Sequence, residues 1–205
     1  MPRSSLIILL FAFPLAAAVV FWLSFSTTSD SGTEPLPIIF HTPEFSLTER
    51  SGRTVTHNDL RGHVWLADFI FTRCAGPCPK LTLRMRSLQE SLKQYDDDVK
   101  LVSFTLDPTY DTPKVLSRYA QRGQADADFW WFLTGKNETA VHTLVEKGFL
   151  QAVSRAKGGR GIVHSTYFVL VDRMGRARGL YDGLDAASKP RILRDVATLL
   201  AEPRG

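Results

Sequence analysis

The sequence predicts an α/β domain built on one mixed β-sheet flanked by helices, preceded by an N-terminal transmembrane helix. Three observations carry that prediction. Apolar runs of strand length, "HVWLADFIFT", "VKLVSFTLD" and "FWWFLTG", alternate with segments of helical periodicity. Such alternation implies helical crossovers and parallel strands. A late pair, "STYFVLVD" and "ARGLYDG", flanks the turn "RMGR" as a hairpin, which adds antiparallel strands. The first 25 residues contain one long uncharged apolar run.

That run, residues 5–25, reads "SLIILLFAFPLAAAVVFWLSF". About 20 apolar residues at ~1.5 Å rise each cross the hydrocarbon core of a bilayer. Pro14 falls mid-span, which a membrane helix tolerates. Arg3 precedes the run, and the first charges after it are Asp30 and Glu34. This asymmetry predicts an N-terminus kept inside and an exported remainder. A cleaved signal peptide is the alternative, since "PLAAA" holds a small-residue motif. The run is longer than the ~7–15 residues of a signal core, so an uncleaved single-pass anchor is expected over 1–25. No Arg-rich presequence is present, which favours the inner membrane of a bacterium with the domain in the periplasm.

Residues 26–40, "STTSDSGTEPLPIIF", read as a linker rich in Ser, Thr and Pro. Residues 41–205 are enough for one domain with a real core. Within it, "FSLT" and "TVT" alternate around Ser51 and Gly52 as a hairpin. The near-continuous apolar run 63–72 has the signature of a central strand covered on both faces. After Pro79, Leu81, Met85, Leu88, Leu92 and Tyr95 recur at helical steps. A second buried strand covers 99–107. "TPKVLSRYAQRG" is a helix capped by Thr112 or Asp111, with Pro113 in its first turn and Gly123 as its stop. A strand over 129–135 precedes a helix begun by Asn137, and a last helix covers about 188–201. A first strand running into a cysteine loop and then a helix is the thioredoxin-like arrangement.

The net charge is +4, with Lys and Arg scattered and not clustered. This argues against a nucleic-acid partner and for a mild preference for acidic ones.

The chain has two cysteines, Cys74 and Cys78, in "FTRCAGPCPKLT". A structural disulfide framework normally uses four or more, and so small a loop stabilises little. The pair therefore reads as chemical. Cys78 at a helix start meets the positive end of the helix dipole, and Arg73 and Lys80 add charge, so lowered thiol pKa values are expected. Pro79 fits the first helical turn. Two thiolates can exchange with a disulfide or hold a soft ion. Zinc normally takes four ligands, whereas two thiolates and an imidazole suit copper. Of five histidines, His164 stands apart, ending the glycine-rich run "AKGGRGIVH" before a strand. A lone loop histidine is more often an ordinary surface residue than a ligand, so these residues alone leave both chemistries open.

"DFIFTRCAGPCPKLT", "TLDPTYDTPKVLSRYA", "FWWFLTG" and "GIVHSTYFVLVD", in this order, resemble the SCO/SenC family over roughly residues 40–200. The resemblance implies a membrane-anchored, thioredoxin-like, copper-binding protein that helps assemble the binuclear copper site of cytochrome c oxidase. It implies copper ligands at Cys74, Cys78 and His164, and partners in the copper-accepting oxidase subunit or another cuproprotein. Ala75 stands where the family often has proline. "DPTYDTP" is similar to the family's DPxxDTP. Asp107 and Asp111 read first as strand end and helix cap, and second as groups that tune the site or meet a partner. The alternative function is an exported thiol-disulfide oxidoreductase, with Cys74 and Cys78 as its redox pair and no stable metal.

Overall fold

The computed structural model describes residues 35–155 and 161–204. The expected anchor at 1–25 lies outside them. Among the described residues no helix is long and apolar enough to cross a membrane.

In chain order the strands are β1 (Phe40–His41), β2 (Ser46–Glu49), β3 (Thr54–Thr56), β4 (Val64–Ile70), β5 (Val99–Thr105) and β6 (Trp130–Thr134), then β7 (Val153–Arg155), β8 (Ile162–His164), β9 (Tyr167–Val171) and β10 (Arg176–Asp182). The helices are α1 (Cys78–Leu92), α2 (Pro113–Arg122), α3 (Glu138–Thr143) and α4 (Ser188–Ala201). Eight strands form one sheet in the order β1-β10-β9-β4-β5-β6-β2-β3, and β7 and β8 form a separate ribbon. β4, β5 and β6 run parallel, joined through α1 and α2, while β9 lies antiparallel to β4. This is the thioredoxin-like α/β arrangement.

The pleat explains the core. Alternate residues of a strand face opposite sides, so a strand buried throughout must be covered twice. All seven residues of β4 are buried. On one face Trp65, Phe69, Phe104 and Phe149 form an aromatic cluster with ring centroids 5.0–6.4 Å apart. The other face is covered by helices. There Tyr119 of α2 meets Thr82 of α1 hydroxyl to hydroxyl at 2.6 Å, and Lys189 of α4 donates to Ser87 of α1 at 2.7 Å. Leu81, Met85, Leu88 and Leu92 form the buried stripe of α1.

Several local expectations are corrected. Helix α1 ends at Leu92, and a 3₁₀ turn over Lys93–Tyr95 carries Tyr95 into solvent. Gly123 stops α2 as expected, with a right-handed φ of −74°, and Gln124 takes the left-handed one at 56°. Close packing accounts for the glycine: a Cβ there would sit 3.1 Å from Thr82 Cγ2. The segment read as a linker is tied down at its end. The Leu36 carbonyl accepts from Arg178 Nε at 2.9 Å, and Ile39 N–H donates to Ala177 at 2.8 Å.

Gly183 closes the loop after β10, donating its N–H to the Thr166 carbonyl at 3.0 Å. A Cβ at Gly183 would lie 2.6 Å from Leu81 Cδ2 and 2.8 Å from both Phe168 Cζ and the Thr166 carbonyl oxygen. Gly183→Ala should therefore lower stability by about 1–3 kcal/mol through overpacking. Urea unfolding checks this as a lower midpoint at an unchanged slope.

Candidate metal centre

β4 delivers the chain to the edge of the sheet, where residues 71–77 turn back into α1. Cys74 N–H donates to the Phe71 carbonyl at 3.1 Å, tightening that turn. Cys78 is the first residue of α1, and Pro79 occupies its first turn, where a missing N–H costs nothing. Both cysteines are free thiols, Cys78 fully buried and Cys74 partly so.

The sheet brings the histidine to the same edge. β9 runs antiparallel to β4 with Ala67 opposite Val169 and Trp65 opposite Val171. The start of β9 therefore lies at the end where β4 finishes, and His164 is three residues before that start. His164 does not sit in a loose glycine loop as expected. It ends β8, paired with Val153 of β7, so the glycine run joins two short strands that hold the ring. Residues 156–160 of that run lie outside the described set.

His164 Nε2 is 3.4 Å from Cys78 Sγ. Among the described residues, the sulfurs of Cys74 and Cys78 and a nitrogen of His164 all lie within 4.8 Å of one another. His164 Nδ1 is 2.7 Å from the Ser165 carbonyl. A carbonyl only accepts, so Nδ1 carries the hydrogen, and the neutral ring presents its Nε2 lone pair to the sulfur. The Phe71 ring meets the imidazole edge-on at 5.8 Å between centroids. Two sulfurs and one imidazole nitrogen fit a soft ion of low coordination number.

The electrostatics differ from the expectation of lowered thiol pKa values. Burial, then the hydrogen bond with Cys74, pushes the Cys78 thiol upward. Desolvation outweighs the hydrogen bond with the Phe71 backbone, which pulls the other way. Burial also lowers the His164 pKa, partly offset by its bond to Ser165, so the ring is held neutral. Ligation by Cys78 must then release a proton.

The two aspartates of "DPTYDTP" brace the cysteine loop. Asp111 is fully buried and does not cap α2; Thr112 does, accepting from Val115 N–H at 3.4 Å. The Asp111 carboxylate accepts the Thr72 N–H at 3.0 Å, the Thr72 hydroxyl, and the Thr105 hydroxyl at 2.5 Å. It thereby ties the residue two before Cys74 to the end of β5. Asp107 Oδ2 accepts Arg73 Nε at 3.2 Å and Nη2 at 2.6 Å, and the guanidinium lies 4.1 Å from the Tyr110 ring centroid. Arg73 is thus committed to Asp107, and Lys80 is exposed on α1. The buried His57 bonds Thr42 and Glu44, and His142 bonds the Leu106 carbonyl.

One group went unread inside the apolar run of β4. Asp68 is buried, accepts the Ser103 hydroxyl at 2.5 Å on Oδ1, and has no partner for Oδ2 among the described residues. Ser103 in turn accepts the Trp130 indole N–H at 2.8 Å. Burial pushes the Asp68 carboxyl up to about 7, and its charge adds to the upward push on Cys78. A single carboxylate inside an apolar strand, six residues before Cys74, was the available signal.

Residues 39–201 match the family model described as SCO1/SenC. This chain belongs to the SCO1/SenC family. A relative, the SCO1 protein homolog of Bacillus subtilis (strain 168), is 34% identical over 160 residues, covering 78% of this chain and 83% of that protein. A solved structure of BsSco superposes with a TM-score of 0.73 at 33% identity, covering 82% of this chain and 97% of that one. It is described as a member of the Sco family of cytochrome c oxidase assembly proteins, with a disulfide switch. ScoI of Bradyrhizobium japonicum, solved with copper bound, superposes with a TM-score of 0.66 over 78% of this chain and 99% of that one. Its 20% identity makes that a likeness of fold.

Two predictions follow from this geometry. Asp111→Asn replaces one of the two oxygens that accept from Thr72 and Thr105 with a donor, and should weaken soft-metal binding by about 10–100-fold, as loss of an outer partner does. Chelator competition measures it. Asp68 binds its proton up to about 7 in the folded chain, against ~3.9 when unfolded. The folded state therefore holds more protons between those values, so stability falls as pH rises through that window and levels above it. The span is worth on the order of 4 kcal/mol. Asp68→Asn should flatten the slope of urea stability between pH 5 and pH 8.

Proposed function

We propose that this chain handles copper as cargo. The thiolates of Cys74 and Cys78 and Nε2 of His164 hold one copper ion, which passes to the binuclear copper site of cytochrome c oxidase or to another cuproprotein. The observation that carries this reading is the convergence of those three soft donors within 4.8 Å, from segments far apart in sequence. Three ligands suit Cu(I) and leave room for an incoming ligand from the acceptor before one of the chain's own departs. Membership of a family that includes an oxidase assembly protein supports the same reading. In this proposal residues 1–25 anchor the chain once in the inner membrane, with the N-terminus inside and the domain in the periplasm. The uncharged run and its flanking charges support that placement.

A second reading is thiol-disulfide exchange, favoured by two free thiols on one loop and by the disulfide switch described for BsSco. Cys74 is the more accessible sulfur and would attack a partner disulfide as thiolate. Cys78 then displaces the partner's sulfur from the mixed disulfide. The partner gains two electrons and leaves as a dithiol, and a Cys74–Cys78 disulfide remains. That oxidised form cannot bind copper, so the two activities alternate.

His164→Ala separates them. Reduced wild-type chain should bind one copper ion, and the variant should lose more affinity than the roughly 10–100-fold typical of an outer partner. The midpoint potential of the dithiol should change little. Copper uptake that survives His164→Ala, with exchange lost in Cys74→Ser, would overturn the copper reading in favour of the redox one.

A further inference from the structure

Lys80, Leu83, Arg84 and Ser87 recur at steps of three, one and three along α1, which places them on one face of the helix. With Leu184 they line an open groove of about 290 Å³. Leu83 is 64% exposed and Leu184 41% exposed, so both present apolar surface to solvent there. Among the described residues no carboxylate pairs with Lys80 or Arg84, although Arg86 on the same helix pairs with Glu90 at 3.2 Å. Lys189 of α4 donates its Nζ to the Ser87 hydroxyl at 2.7 Å, beside the groove.

The groove lies on the outer face of α1, the helix whose first residue is Cys78. Lys80 follows Cys78 by two residues on α1. Leu184 follows Gly183, whose N–H is held by the carbonyl of Thr166, two residues beyond His164. A segment lying in this groove runs along the helix that carries Cys78.

Resting on the copper-transfer reading above, we infer that this groove docks an acidic segment of the copper-accepting protein. Its carboxylates meet Lys80 and Arg84, and an aliphatic side chain seats between Leu83 and Leu184. Unpaired cations around an exposed leucine pair call for that combination of charge and apolar surface. No aromatic side chain lines the groove to stack a base, which disfavours nucleic acid. A second copy of this chain would bring its own net charge of +4 and is repelled.

The test uses the full chain and, as probe, the soluble copper-accepting domain of the cytochrome c oxidase from the same cells. Arg84→Glu and, separately, Leu83→Ser are compared with wild type for association and for copper hand-off at low and high salt. Arg84→Glu should slow hand-off and weaken association about tenfold at low salt and flatten the salt dependence. Leu83→Ser should weaken association without changing its salt dependence. Copper loading, and release to a neutral chelator, should match wild type in both. Unchanged association in both variants, or no association of wild type with the domain, overturns the inference. So does an effect of Arg84→Glu confined to binding of phosphatidylglycerol vesicles or to self-association. If the reduced chain loads no copper the transfer reading falls, and association of the metal-free proteins still decides the groove.

Discussion

Cys78 Sγ and His164 Nε2 lie 3.4 Å apart although 86 residues separate them in the chain. Closing so long a loop costs conformational entropy that one sulfur–imidazole contact cannot offset. The sheet supplies the difference. Antiparallel pairing of β9 against β4 fixes which end of β9 faces the cysteine loop. The β7–β8 ribbon and the Ser165 carbonyl then fix the ring and its tautomer. The three candidate donors are thus held together by the fold itself.

Burial gives this centre its chemical character. Cys78 is enclosed at the start of α1, and its lost solvation outweighs the hydrogen bond with the Phe71 backbone. The thiol stays protonated until an ion or an oxidant takes its hydrogen's place, and the neutral imidazole keeps its lone pair free. A soft cation answers both conditions, since it forms bonds to thiolate sulfur that replace the lost hydration. Asp68 lies in the same buried region with one oxygen unpartnered, a cost the sheet carries close to the reactive sulfurs.

The loop that carries Cys74 is short and rich in small residues, so its shape must be imposed from outside. Asp111 does this by accepting both groups of Thr72, and Asp107 does it by holding Arg73. Both aspartates belong to the segment after β5, the parallel neighbour of β4. The register of one strand pair thus sets the geometry of the metal centre.

By itself the sequence determined the elements with strong periodicity and singled out the cysteine pair. The buried run of β4, the stripe from Leu81 to Leu92 and the last helix stand where their patterns put them, because a doubly covered strand and an amphipathic helix have unmistakable spacings. Family resemblance pointed to His164, but the residues around it could not distinguish a ligand from a surface histidine. Tertiary structure alone decided that His164 rides on a ribbon, that Asp111 braces Thr72 instead of capping α2, and that Asp68 is a buried acid beneath an apolar pattern. The physical reason is common to all three. Local pattern records which face of an element is apolar, whereas ligation, bracing and desolvation depend on which distant segments the sheet brings side by side.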